Sequence, residues 1–176
     1  LDFDAYFSSS SRESAFDKAI SDTIALIFIA LRRVGVVTDR VVVLESSGSS
    51  ESKQGLYKCS RHVHFPHAWF RCNFSDMSVF LQKYVQEDAM LVFKAAGFSA
   101  AWDTSVYSRN RPFRMMGCHK RGSKRVLRTH SGEASREAFF NALVQPPNAP
   151  KDPICIGPAS KKTKLVPPRL ASPIGK

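Results

Sequence analysis

The chain has 176 residues, 43% of them hydrophobic, enough for one packed domain and too few for two full-sized ones. Its formal charge of +11 favours a polyanionic partner held through phosphate contacts and counterion release. The longest apolar run, Ile24 to Leu31, is far short of the roughly 20 residues that cross a bilayer, and the four cysteines contain no C-x-x-C pair, so no membrane role and reduced thiols in an internal compartment are expected.

The sequence opens on Leu1 rather than Met, and a strand is expected at once over residues 1–7, as in a piece cut from a longer protein. After the serines at 8–11, Ser10 and Glu13 have the spacing of a capping box. Phe16, Ile20, Ile24, Ile27, Leu31 and Val34 then recur every three or four residues before Gly35, which predicts a helix with that face against a sheet. Residues 40–45 read as a buried strand, 46–54 as a polar connection, and 56–65 as the partner strand. Alternation along that partner puts Lys58, Ser60, His62 and His64 on one face and Val63 and Phe65 on the other. A second helix capped by Ser75 or Asp76 runs through Phe80, Leu81, Tyr84 and Val85, with residues 90–93 extending it towards Gly97. A strand is expected over 99–107, a short one over 125–129 and a last helix over 135–144. The domain is taken as residues 1–145. The remainder, 146–176, holds eight of the ten prolines and six Lys/Arg against one Asp, and is expected to be a basic, disordered tail.

Charge is concentrated within the body as well. Between Arg109 and Arg128 stand eight Lys/Arg and no acid, which reads either as a solvated basic face or localisation signal, or as a surface for nucleic acid or nucleotides.

Asp2 and Asp4, two positions apart on a strand, aim both carboxylates at the same side, the geometry for a shared hard cation such as Mg²⁺ or Mn²⁺. Two ions about 3.5 to 4 Å apart activate an attacking hydroxyl and stabilise a leaving pyrophosphate; solvated strand-end acids are the plainer alternative. Asp103, between apolar Trp102 and Val106, is either a third metal carboxylate or the cap of a turn. Lys58, Ser60 and His62 offer an ammonium, a hydroxyl and an imidazole to a triphosphate, or else form an exposed polar sheet edge. Arg111 and Arg114 are placed to grip phosphates or to sit on the surface. A zinc site from Cys59, His62, His64, His67 and Cys72 is a rival, opposed by Cys59 and His62 pointing to opposite strand faces. Hydrolase chemistry at Ser60 and His62 lacks the glycines of a nucleophile elbow.

Taken in order, D-x-D, then K-x-S-x-H, then Asp103 followed by V-Y-S-R-N-R-P-F-R resemble the motifs of the archaeo-eukaryotic primase superfamily, in particular its eukaryotic primase-polymerase branch. Val43-Leu44-Glu45-Ser46-Ser47, Phe80-Leu81-Gln82-Lys83 and Phe139-Phe140-Asn141-Ala142-Leu143-Val144 extend the resemblance over roughly residues 1–145. It implies an α+β, RRM-like catalytic module with a mixed or antiparallel sheet packed against helices. It further implies a DNA-directed primase or polymerase acting on DNA template, primer and nucleoside triphosphates with Mg²⁺ or Mn²⁺. On the same resemblance Asp2, Asp4 and Asp103 ligate the metals, while Lys58, Ser60, His62, Arg111, Arg114 and Lys120 hold the incoming nucleotide. Two departures stand out. The first motif reads Asp-Phe-Asp where that branch usually has Asp-x-Glu, and the family's template-contacting part and Cys/His zinc module lie outside this chain. Primer extension, rather than primer synthesis, is the expected activity, in the nucleus or mitochondrion; a primase-like module that binds nucleic acid without turnover is the alternative.

Overall fold

The computed structural model of the chain describes residues 1–99, 101–108, 113–143 and 153–154. Strand β1 (Asp2–Phe7) turns Phe3, Ala5 and Phe7 inward and Asp2, Asp4 and Tyr6 to the other face, as a pleat with period two requires. After a single 3-10 turn (Ser10–Arg12) comes helix α1 (Glu13–Arg33), which buries Phe16, Ala19, Ile20, Thr23, Ile27, Ala30 and Leu31 along one stripe. The capping box does not form: Ser10 lies inside the 3-10 turn, and the α1 N-cap position, Arg12, makes no side-chain cap. Arg12 instead donates to the carbonyl of Ala96 at 2.9 Å. Gly35 stops α1 as expected, with φ at 81° and hydrogen bonds from Val36 N to Leu31 O (2.9 Å) and Gly35 N to Arg32 O (3.0 Å). This double closure needs a left-handed residue after the helix.

Strands β2 (Val42–Glu45), β3 (Gly48–Ser49) and β4 (Tyr57–His64) follow. The connection expected at 46–54 therefore contains a short strand of its own. The sheet is antiparallel in every pairing, with order β1-β4-β2-β5 and β3 prolonging β2's side of β4. Residues 73–77 form one π-helical turn, succeeded by α2 (Ser78–Tyr84) and α3 (Gln86–Ala95). Asp76 is not the predicted cap. It is fully buried and accepts two hydrogen bonds from Arg71, at 2.9 and 3.0 Å.

The strand expected over 99–107 shrinks to one bridge, Trp102 opposite Phe3, followed by a 3-10 turn (Thr104–Tyr107). Asp103 explains the early stop. Its carboxylate accepts from Ser105 N at 2.9 Å, so a local bond replaces a ladder bond. β5 (Arg128–Thr129) and α4 (Arg136–Asn141) complete the described fold, and Ser135 caps α4 through Ala138 N at 3.0 Å. The tail expected over 146–176 lies outside the described residues apart from Pro153 and Ile154. No helix among the described residues is long and apolar enough to cross a membrane.

Two layers cover the sheet unequally. On one face α1, α2 and α3 enclose the main core, where Phe3 packs on Phe93 and Trp102 with ring centroids 5.4 and 5.3 Å apart, and Phe16 meets Phe98 at 5.4 Å. On the other face, residues 113–129 cross back so that Leu127 and Ala142 bury Leu44. That second cover spans only the β2 side. The outward faces of β1 and β4 are left as the floor of a cleft.

The helix face of β4 also carries Arg61, which is fully buried. It bonds Glu13 at 2.7 Å and Asp17 at 2.9 Å, both on α1, and lies 3.8 Å from Glu45 on β2. Burial opposes its charge, yet Glu13 and Asp17 hold the guanidinium pKa above its ordinary value. This ion cluster ties helix to sheet directly behind the cleft floor.

Candidate active site

Register sets the floor. Across the β1–β4 pair, Asp2 stands opposite His62, Asp4 opposite Ser60, and Tyr6 opposite Lys58. Directly opposed side chains on one face of an antiparallel pair have Cβ atoms about 4.5 to 5.5 Å apart. A column of acids therefore runs beside a column of phosphate-seeking groups. The Trp102 bridge adds the third acid: Asp4 N donates to Ala101 O (2.7 Å) and Asp103 N to Asp2 O (2.9 Å), and with Trp102 turned into the core, Asp103 faces the cleft.

The resulting cleft, of about 440 Å³, is lined by Asp2, Asp4, Lys58, Ser60, His62, Asp103, Val106, Phe113, Arg114 and Lys120. Arg111 lies outside the described residues. Every other side chain that the primase resemblance assigned to metal or nucleotide borders this single space. Cys59, by contrast, is in the core on the opposite face from His62, which separates the two ends of the rival zinc set.

The electrostatics are those of a site short of cations on its acid wall. Burial, with Asp4 adding to it, pushes the Asp2 carboxyl up to about 6; Asp103 raises it further, while Lys58 works the other way. Lys58 Nζ reaches Asp4 Oδ2 at 2.5 Å. Asp2 Oδ1 and Asp4 Oδ1 are buried and have no hydrogen-bond partner. Leaving carboxylate oxygens dry and unpaired is costly, and such oxygens are the ligands a hard divalent cation prefers. The pair thus fits a hard metal ion. Asp103 is engaged through Oδ1 in its turn, and among the described residues no group of three or more His, Cys, Asp or Glu is gathered to hold a metal.

His62 is a neutral ring at ordinary pH, because burial, reinforced by Arg114 and Lys58, pulls its pKa down to about 3. Its Nε2 lies 3.4 Å from Asp2 Oδ1, and Phe113 meets the ring edge-on at 5.3 Å. A neutral imidazole offers one donor and one acceptor, which orients a phosphate oxygen without adding charge. The charge comes from Lys58, Arg114 and Lys120.

Ser46, Ser47 and Phe113 escaped the sequence reading. Ser46 and Ser47 turn the chain after β2: Ser46 Oγ accepts from Arg114 Nη1 at 3.1 Å, while Ser47 Oγ accepts from Ser60 N at 3.3 Å and Arg61 Nη1 at 2.5 Å. They join the ion cluster behind the sheet to the groups in front of it. Both belonged to a quoted motif that carried no role. Phe113 lies in the same motif as Arg111 and Arg114, where only the arginines were given a role, and it lines the cleft beside His62.

Residues 1–131 match the family model described as the C962R protein N-terminal AEP domain. No curated protein matches the chain.

Proposed function

This chain belongs to the C962R-type archaeo-eukaryotic primase (AEP) family, and on that ground we propose that it extends a primer on a DNA template by nucleotidyl transfer. The primer 3′-hydroxyl attacks the α-phosphate of a nucleoside triphosphate: a new O–P bond forms, the bond to the β-phosphate bridge breaks, pyrophosphate leaves, and the hydroxyl proton goes to solvent. Asp2, Asp4 and Asp103 would hold Mg²⁺ or Mn²⁺, which would supply charge stabilisation to the attacking and leaving oxygens. Lys58, Arg114 and Lys120 bind the triphosphate, Ser60 and neutral His62 orient it, and Arg111 belongs to the same set by motif. The family suggests primase or polymerase chemistry in general; DNA extension is the finer reading.

The observation that carries it is the pair of unpartnered carboxylate oxygens on Asp2 and Asp4, set one strand away from Ser60 and His62 in a cleft walled by Lys58, Arg114 and Lys120. The strand succession supports the RRM-like reading of the module: bridge residues 101–103, β1, β4 and β2 lie side by side, with α1 to α3 on one face. Residues 1–145 form the catalytic unit in this proposal.

Primer extension with Mg²⁺ or Mn²⁺ tests it. Asp103→Ala should lower the rate by about 10²-fold, equivalent to about 2.7 kcal/mol of lost transition-state stabilisation. Equal rates for variant and wild type would reject its metal role. Salt-sensitive DNA binding without any incorporation would identify a module that has lost turnover.

A further inference from the structure

Asp4 is the wall between two clefts. Beyond the point where the 101–103 bridge ends, a second opening of about 340 Å³ runs along the outer side of β1, with Asp4, Tyr6, Arg12, Lys53, Gly97 and Phe98 in its lining. Among the described residues Asp4 alone lines both it and the triphosphate cleft. We infer that this second cleft binds the 3′-terminal end of a nucleic-acid strand, with Tyr6 as the stacking surface and Lys53 and Arg12 as the cations along its backbone.

The inference rests on the nucleotidyl-transfer reading, because that reaction needs two substrates meeting at shared carboxylates. The triphosphate takes the side with Lys58, Ser60, His62 and Arg114. The attacking strand must then arrive from another side of Asp4, and this cleft adjoins it directly. Its lining suits a single strand in three ways. Tyr6 shares the β1 face of Asp2 and Asp4 one pleat further on, so a base on its ring points the strand at the acids. Lys53 Nζ rests 3.8 Å from the Tyr6 ring centroid, and an arriving phosphate draws that ammonium off the ring and frees the face for a base. Arg12 is fixed at the far wall, over Phe98 at 4.7 Å and bonded to the Ala96 carbonyl. Gly97 permits this: its φ is +82°, and a Cβ there would stand 2.6 Å from Arg12 Nη2. Aromatic surface interleaved with fixed cations is how strands are gripped without sequence preference.

Fluorescence anisotropy with a labelled primer–template carrying a recessed 3′ end, at several salt concentrations, tests this together with primer and nucleotide KM. Tyr6→Ala should weaken strand binding about tenfold and raise the primer KM well beyond any change in nucleotide KM, since Lys58 Nζ also lies 5.7 Å from the ring centroid. Tyr6→Phe keeps the stacking surface and should stay within about twofold. Lys53→Ala, at an exposed position and so without risk to folding, should reduce the slope of log affinity against log salt by about one. Strand affinity indifferent to both Tyr6→Ala and Lys53→Ala overturns the inference, even where incorporation persists. Tyr6-dependent strand binding in a protein that incorporates nothing upholds the cleft while the polymerase reading falls.

Discussion

Asp4→Asn should abolish primer extension, by about 10³-fold or more, and leave the fold as stable as before. The magnitude follows from what a carboxylate contributes when a divalent cation balances charge on transferring oxygens, several kcal/mol at about 1.36 kcal/mol per factor of ten. The lack of a stability cost follows from the geometry. Asp4 Oδ1 is buried without a partner, and the Asp4 charge raises the pKa of neighbouring Asp2, so removing one negative charge relieves repulsion as it deprives Lys58 of its 2.5 Å contact. Asparagine has the same shape. Extension assays paired with urea unfolding separate the two effects, and a variant that is both inactive and unfolded would return Asp4 to a structural role.

The largest effect on stability is expected at Arg61. Arg61→Leu leaves Glu13, Asp17 and Glu45 facing one another behind the sheet, and breaking a buried ion set from one side costs about 3 to 5 kcal/mol. The consequences should reach the cleft, since Arg61 also donates to Ser47, which holds Ser60 N. Acid should act on the same cluster in the wild type. Burial by itself would raise the carboxyls of Glu13 and Glu45, but hydrogen bonds and charge from Arg61 lower Glu13, and those from His130, Arg128 and Arg61 lower Glu45, both below the usual 4.5. A depressed folded-state pKa means the stabilisation is present above pH 4.5 and lost as pH falls through the lowered values. Between pH 4.5 and pH 3 the urea midpoint should therefore fall more steeply for wild type than for Arg61→Leu, on top of the loss that buried, neutral His62 and His64 impose on both proteins as pH drops. Parallel declines would remove the cluster as the cause.

Both faces of β4 illustrate what a sequence can tell. Lys58, Ser60, His62 and His64 were separable from Val63 by counting, because side-chain direction in a strand has period two whatever the strand packs against. Helix α1 was readable for a similar reason, with its end marked by Gly35. Arg61 was not: polar–apolar alternation gives no hint that a cation sits on the core face, and its partners are separated from it by 44 and 48 residues. Asp103 shows the limit in another form. Strand propensity around Trp102 and Val106 pointed to a full strand, while the local bond to Ser105 N ended it after one bridge. For Asp76 the helix-cap spacing was present, and a bidentate bond to Arg71 took the carboxylate inward instead.

Crystals soaked with Mn²⁺ and a non-hydrolysable nucleoside triphosphate, measured at the manganese absorption edge, probe the acid wall most directly. Anomalous peaks bridging Asp2 and Asp4, with Asp103 turned to join them and the triphosphate lying against Lys58 and His62, are the expected result. Manganese bound elsewhere while those two carboxylate oxygens stay bare would contradict it.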